Sequence, residues 1–460
     1  MPPEQGGWRC LTSLSTKPEE ALSVTRVSRG LDRVGVTFDD PNLVANAGLI
    51  LVSTLVCRLD LEALVNATVR LVGKVGGARP GRKVLTLVHS IVAGGSHIDH
   101  AEVLRAGATQ SVLAHRVMAP STLGSFLRAF TFGHVRQLEA VVGMVLARAW
   151  ALGAGPAAGR LVVDVDSTIC EVAGRLKAGA AYGYTKVLGY HPILATRADT
   201  GEVLAARMRK GSANTQRGTK RFVEELIARV RRAGAVGEII CRFDSGFWSN
   251  DTIATLGRLN VRYTMAIRTN TRGIDRVIAA IDEGAWVDID YTVDGQAQVA
   301  ETVYKRRRLI VRRTRLVDSR QLKLWPNWRH FGFLTDLDWT DTAEVDAFHR
   351  QHATVELTIR DLKQGAGLEH IPSGDYDANG AWLQCAVLAH NLMRWTATIG
   401  QPALVDQLTV ARTVRLRLIN IPARLVNHSG TLTLRGPRDW PWAQLFTRRL
   451  AAIRALPAPG

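Results

Sequence analysis

Three acidic residues stand where a divalent cation could be held. In Leu-Val-Val-Asp-Val-Asp-Ser-Thr, residues 161–168, the two-residue period of a strand puts Asp164 and Asp166 on one face. Paired carboxylates near the end of an apolar strand are costly unless a cation lies between them. Mg²⁺ is a natural partner, because it takes a few hard oxygens and keeps several waters. Asp166 is nearer the strand's C-terminal end, where sites of open α/β sheets form, although an Asp-capped turn through Ser167 and Thr168 fits the same residues. A second strand, Glu238–Asp244, ends in Arg-Phe-Asp-Ser-Gly-Phe. Gly246 there permits a tight exit, and Asp-Ser-Gly alone is also a common turn. His349, His352, Glu356, Arg360 and Lys363 follow at steps of three, four, four and three, which puts all five on one helical face beside Val355, Ile359 and Leu362. A solvated face has the same spacing. In the functional reading Glu356 completes the metal site with Asp166 and Asp244, Asp164 is an outer-shell or alternate ligand, and the basic residues hold DNA phosphates. Acids on a first strand, a later strand and a helix form the layout of two-metal phosphoryl transfer, in which one ion activates the attacking water or 3′-hydroxyl and the other stabilises the leaving oxygen. No nucleophilic Ser/His or Cys/His arrangement and no Walker-type phosphate loop competes.

The elements that must position these residues are legible in outline. Leu161–Asp166 reads as a strand, His191–Met208 as a hairpin turning at Asp199-Thr200-Gly201, and Phe222–Arg232 as an amphipathic helix. The strand Glu238–Asp244, a helix starting at Asn250 or Asp251 and the strand Tyr263–Arg268 follow. This order suits a mixed α/β sheet with helices on its faces. Residues 270–329 break the register and read as a β-rich insertion: Trp286–Val293, a turn at Asp294-Gly295, Gln298–Tyr304 and Leu309–Leu316. Its many arginines, Arg307 and Arg312 among them, are expected on both faces and available to DNA. Phe331–Thr335 returns to the core. Asp341-x-x-Glu344 is a capping box opening a long helix to about Lys363, and Ala381–Thr398 is a further helix. The tail reads as a hairpin around His428-Ser429-Gly430 and a short basic helix. Residues 1–155 read as helical. Ser111–Val117 and a helix capped by Ser121 fit either a helix-turn-helix, with Arg128 and Arg136 free for phosphate, or an ordinary helical pair. Gly153–Gly159 reads as a linker. The divisions expected are 1–155, 156–269, 270–329, 330–400 and 401–460.

Lys and Arg outnumber Asp and Glu by 59 to 41, a formal charge of +18, so the chain attracts polyanions. With 460 residues, 46% of them hydrophobic, a large core is affordable. The five cysteines are scattered without a CxxC pair, which argues against a zinc site or a disulfide framework and for a reduced cytosol. The N-terminus lacks the regions of a secretory signal. Ala45–Cys57, the most apolar stretch, is shorter than a membrane helix needs. A cytoplasmic protein without a membrane partner is expected.

VDVDST, GYHPILA, RMRKGSANT, RFDSGF and HRQHATVELTIRDLK occur in the order seen in bacterial insertion-sequence transposases of the thirteen-eighty family, and the chain resembles that family from about residue 40 to 440, IPARLV included. The family belongs to a DDE group whose catalytic helix carries Tyr, Arg, Glu and Lys separated by two, three and six residues. Glu356 and Lys363 match, while His349 and His352 occupy the Tyr and Arg positions. The resemblance implies a ribonuclease-H-like core interrupted by a β-rich insertion, a helical N-terminal region that recognises terminal inverted repeats, and two Mg²⁺ ions, with Mn²⁺ substituting. It also implies terminal repeats and target DNA as partners, a homodimer in the synaptic complex, cut-and-paste transposition, and association with the bacterial nucleoid. Arg209, Lys210 and Asn214 are implied DNA contacts, with Arg360 and Lys363 on phosphates. Relatives stabilise a flipped base with an aromatic of the insertion. Trp286 and Trp325 are the candidates, although core packing is the commoner reason for either tryptophan. A structure-selective nuclease of the same fold and a DNA-binding protein that has lost catalysis are the alternatives.

Overall fold

In the central sheet, strands built from β-branched and apolar runs are covered on both faces, which is why they read as nearly continuous hydrophobic segments. The computed structural model describes residues 34–459 apart from 158, 175, 184, 293–294, 317–327 and 400–409. The chain divides at Asp40, and the described residues 34–40 of the first unit form neither helix nor strand. The helices and strands of the described residues all lie in the second unit, Pro41–Gly460.

A short strand β1 (Leu43–Val44) opens it, followed by helices α1 (Leu49–Arg58), α2 (Leu61–Thr68), α3 (Pro80–Ala93), α4 (Pro120–Arg128) and α5 (Phe132–Ala149). Ser121 does not cap α4. Pro120 takes the first helical position, which its fixed φ suits, after an extended Ala119. The helix expected over Ser111–Val117 is reduced to a single 3-10 turn, Thr109–Val112, so no helix-turn-helix precedes α4. Arg136 is tied to Glu139 and Glu225 rather than available for phosphate. With its terminal turn, α5 is long and apolar enough to cross a membrane by composition alone. Here it packs as a core helix against α2, the later helix Tyr376–Thr398 and the strand Val203–Arg207.

After these helices come β2 (Leu161–Ser167) and a small sheet of β3 (Cys170–Glu171), β4 (Ala181–Tyr182) and β5 (Leu188–Tyr190). Next come β6 (Ile193–Arg197), β7 (Val203–Arg207), α6 (Thr219–Arg232), β8 (Ile239–Phe243), α7 (Asn250–Arg258), β9 (Arg262–Ile267) and α8 (Ile274–Ala279). The insertion supplies β10 (Val287–Ile289), β11 (Gly295–Tyr304) and β12 (Arg307–Leu316), and β13 (Arg329–Thr335) returns to the core. The hairpin between β11 and β12 turns at Lys305 and Arg306, both with positive φ, as a two-residue turn matched to strand twist requires. The chain ends with α9 (Thr342–Arg350), α10 (Val355–Arg360), α11 (Tyr376–Thr398), α12 (Ala411–Val414), the hairpin β14 (Ala423–His428) and β15 (Thr431–Arg435), and α13 (Ala443–Ala455).

Nine strands form one sheet in the order β10-β11-β12-β13-β9-β8-β2-β6-β7. Within it β7, β6 and β2 are antiparallel neighbours, and β8 and then β9 lie parallel to β2. That order and polarity is the ribonuclease-H-like core expected from the sequence. The insertion strands extend this sheet through β13 rather than forming a separate one. Helix α11 is apolar almost all round and buried along nearly its whole length between the N-terminal helices and the sheet. The side-chain amide of its Asn391 accepts from Val203 N at 2.8 Å and donates to Val203 O at 2.9 Å, so backbone groups at the outer edge of β7 find side-chain partners.

Candidate active site

Strand β2 delivers Asp166 and β8 delivers Asp244 to the same end of the sheet. The parallel ladder pairs Val165 with Phe243, and the two acids follow one residue later. Asp244 ends the strand and starts a 3-10 turn, Ser245–Phe247. Gly246 serves packing rather than turn geometry. A Cβ there would come within 2.9–3.0 Å of the Thr215 side chain, and the glycine carries no positive φ. The third acid, Glu356, lies in the first turn of α10, which packs on β2. Asp166 is half-buried, whereas Asp244 and Glu356 are exposed, so the acidic end of the sheet opens to solvent.

Burial raises the Asp166 carboxyl above its ordinary value; the Ser167 N–H and His352 oppose this, and Asp244 and Glu356 add to it. Asp166 Oδ1 accepts from Ser167 N at 2.6 Å. Ser167 is itself held by His191, whose Nδ1 donates to Ala213 O at 2.8 Å and whose Nε2 stands 2.9 Å from Ser167 Oγ. Among the described residues, no group of three His, Cys, Asp or Glu side chains is already drawn to metal-holding distance. The donor chemistry nonetheless fits a hard divalent cation. The three acid-bearing elements meet at this end of the sheet, and Asp166, raised first by burial and further by Asp244 and Glu356, is a carboxyl whose charged form a cation would favour.

Asp164 is a different kind of residue from Asp166. It is buried, accepts from Arg242 Nε and Nη2 at 2.7 and 2.8 Å, and accepts from His352 Nδ1 at 2.7 Å. Both oxygens are thus engaged, which leaves no role as an alternate metal ligand.

The helix expected to run unbroken to Lys363 is segmented. Asp341 caps α9, accepting from Ala343 N and Glu344 N. A 3-10 turn at Gln351–Thr354 and a π-turn at Asp361–Gly365 then bracket α10. A face reckoned at 3.6 residues per turn therefore does not hold. His349 points into the core, stacks on Phe333 at 4.2 Å and shares a 2.7 Å hydrogen bond with Thr264 Oγ1. Burial, followed by His352, Arg242 and Arg312, holds its pKa well below the ordinary value. A neutral, enclosed imidazole cannot contact DNA phosphate, which corrects its assignment. Arg360 is exposed, and Lys363 donates to Ile169 O at 2.6 Å, tying the π-turn to the chain leaving β2.

Arg209 is likewise corrected. It is buried, and its guanidinium donates to His191 O, Asn214 O, Thr215 O and Arg217 O at 2.8–3.4 Å, organising the loop that packs on Gly246. Lys210 and Asn214 on the same loop are exposed. Arg312 stacks on Phe331 and pairs with the fully buried Asp346 at 3.0 Å, so it too is internal, while Arg307 donates to Asn250 on α7 at 3.1 Å.

Trp325 lies outside the described residues. Trp286 lines a cavity of about 530 Å³ with Arg313, Trp328 and His330. Arg313 stands 4.2 Å from the Trp286 ring and 4.6 Å from that of Trp328, and Arg315 is also 4.6 Å from the Trp328 ring. Sequence did not single out Trp328, and it marked Arg313 and Arg315 only as two of the insertion's many arginines. The signal was there in the alternation of β12, where odd positions after Leu309 share a face.

A ribonuclease-H-like sheet with carboxylates at the ends of its first and fourth strands, and another on a helix packed against the first, defines an enzyme of phosphoryl transfer on nucleic acid. A model of the transposase DDE domain, group 1, matches residues 28–458. The chain belongs to that family and is a transposase, an enzyme that cleaves DNA and transfers the strand. A piggyBac transposase, seen by cryo-electron microscopy in a synaptic complex with hairpin DNA, is similar over 82% of this chain and 79% of that one, at 11% identity and a TM-score of 0.45. No curated protein matches the chain.

Proposed function

We propose that Asp166, Asp244 and Glu356 are the catalytic acids of a cut-and-paste transposase acting at the terminal inverted repeats of an insertion sequence of the thirteen-eighty family. The observation that carries this reading is the convergence of the three acid-bearing elements: adjacent parallel strands in register, with α10 packed on the first. The three carboxylates would hold two Mg²⁺ ions, with Mn²⁺ able to replace them; when bound, the metal supplies charge for activating the attacking oxygen and stabilising the leaving one. The chain's own residues do the rest. Ser167, fixed by His191, orients Asp166 through its backbone N–H. Lys210, Arg360 and Asn214 present exposed donors to phosphate around the acids, and Lys363 anchors the end of the catalytic helix. At the insertion the half-buried Trp328, backed by Arg313 and the buried Trp286, offers stacking surface for a displaced base. Terminal repeats and target DNA are the partners, a homodimer pairs the two ends, and the bacterial nucleoid is the site of action.

The test is cleavage, with Mg²⁺, of a fragment carrying the element's own ends against a scrambled-end control. Wild type should cut only true ends, and Asp244→Asn should lose cutting while keeping end binding. Near-normal cutting by that variant would sink the site assignment. Equal cutting of both fragments would make the enzyme a general nuclease, and tight binding without cutting a DNA-binding protein without catalysis.

A further inference from the structure

Beneath the acids lies a second set of three residues whose spacing repeats theirs. Asp164 precedes Asp166 by two on β2, Arg242 precedes Asp244 by two on β8, and His352 precedes Glu356 by four along the helical segment. On the strands the period of two puts Asp164 and Arg242 on the same side as the acid that follows each, while His352 reaches the pair from the 3-10 turn that leads into α10. The three side chains bond to one another. Asp164 and Arg242 are register partners across the ladder and form a two-pronged pair at 2.7 and 2.8 Å. His352 Nδ1 reaches Asp164 Oδ1 at 2.7 Å, and Arg242 Nη1 donates to Phe348 O at 2.7 Å, one turn earlier on the same helical segment. Asp164 and Arg242 are each about 1% exposed. A forked guanidinium–carboxylate pair fixes angle as well as distance. A buried pair of this kind contributes little net stability over an apolar pair, so its value here lies in the geometry it enforces. Because Asp164 is already taken by Arg242, its contact with His352 requires that Nδ1 carry the proton.

We infer that Arg242, Asp164 and His352 are positioning residues that set the mutual placement of Asp166, Asp244 and Glu356, with His352 acting through Nδ1–H. The inference rests on the carboxylate-site reading above.

The test uses the full-length chain and three readouts: Mn²⁺ titration followed by the spin-resonance signal of the free ion, the Mg²⁺ dependence of cleavage at true ends, and thermal unfolding. His352→Gln and Arg242→Lys should weaken Mn²⁺ binding and raise the Mg²⁺ requirement by about 10–100-fold, with the melting midpoint of His352→Gln unchanged. His352→Asn, whose amide N–H takes the place of Nδ1–H, should restore both. Arg242→Lys can fail to fold, so the double variant Arg242→Met with Asp164→Leu is the second probe. It removes both charges, which spares the fold, and should still lose Mn²⁺ affinity. Wild-type Mn²⁺ binding in that double variant or in His352→Gln overturns the inference, as does His352→Asn being as defective as His352→Gln. A wild-type chain that binds no Mn²⁺, and does so no differently from Asp244→Asn, removes the carboxylate-site reading and this inference with it.

Discussion

Arg209 and Lys210 are adjacent in sequence and opposite in fate. Both are cations in a loop that resemblance assigns to DNA, yet Arg209 is enclosed by four carbonyls while Lys210 is exposed. Burial lowers the Arg209 pKa to about 10, which still leaves it charged at neutral pH. Counterion release separates the two roles, because a cation on phosphate contributes about one unit to the salt slope of binding. Lys210→Ala is therefore expected to lower the slope of log K against log salt by about one unit, with the unfolding midpoint unchanged. Arg209→Ala should leave the slope alone and cost about 1–3 kcal/mol, since it strips donors from buried carbonyls. Fluorescence anisotropy over a salt series and urea denaturation measure the two; a slope change in Arg209→Ala would return that residue to the DNA. The same lesson covers His349 and Arg312. Composition reveals a charge but not the Thr264 hydroxyl or the Asp346 carboxylate that occupies it, so residue type alone over-assigned the interface.

At the scale of elements, the strands were legible because apolar alternation and turn residues are local. The hairpin at Asp199–Gly201 and the long insertion strands β11 and β12 fall close to where the sequence puts them. The first insertion strand is only Val287–Ile289 rather than Trp286–Val293, and Asp294 of the expected turn lies outside the described residues. The segment that carries Glu356 was legible only in its start, where Asp341 caps it. Its 3-10 and π-turns have no periodic signature and are imposed by what the segment packs against: Arg242 from β8 takes Phe348 O, and Asp361 Oδ1 takes Ala411 N of α12. Gly246 illustrates the same boundary. Sequence correctly marked it as a tight place, but the reason is tertiary, a loop from another segment bringing Thr215 against it. Gly246→Ala should thus displace the Asp244 turn and lower cleavage, while the double variant with Thr215→Gly, which clears the contacted atoms, should recover most of it. Cleavage at true ends for the two variants decides the matter. Failure of the second change to help would mean that Gly246 is needed for chain conformation instead.

Across the whole molecule, the surplus of 18 positive charges was the feature most plainly written in the sequence, and it coexists with histidines that must stay neutral. His89, against His115, and His390, against Arg394, are fully enclosed; burial is the first cause in each, and both fall to about 3. Their folded values lie below the ordinary 6.5, so the unfolded chain takes up protons first as pH falls. Stability is then undiminished above about 6.5 and is lost progressively from there toward about 3, at about 1.4 kcal/mol per pH unit for each histidine. At about pH 5 the pair together accounts for a loss of about 4 kcal/mol, a large share of a typical total of about 5–15. Added self-repulsion in an already cationic chain acts in the same direction. Urea denaturation at a series of pH values between neutral and mildly acidic should show this slope, and His89→Gln, though less stable throughout, should flatten it by about one histidine's worth. An unchanged slope in that variant would assign the acid sensitivity to net charge alone, and in that case salt rather than the histidine substitution should suppress it.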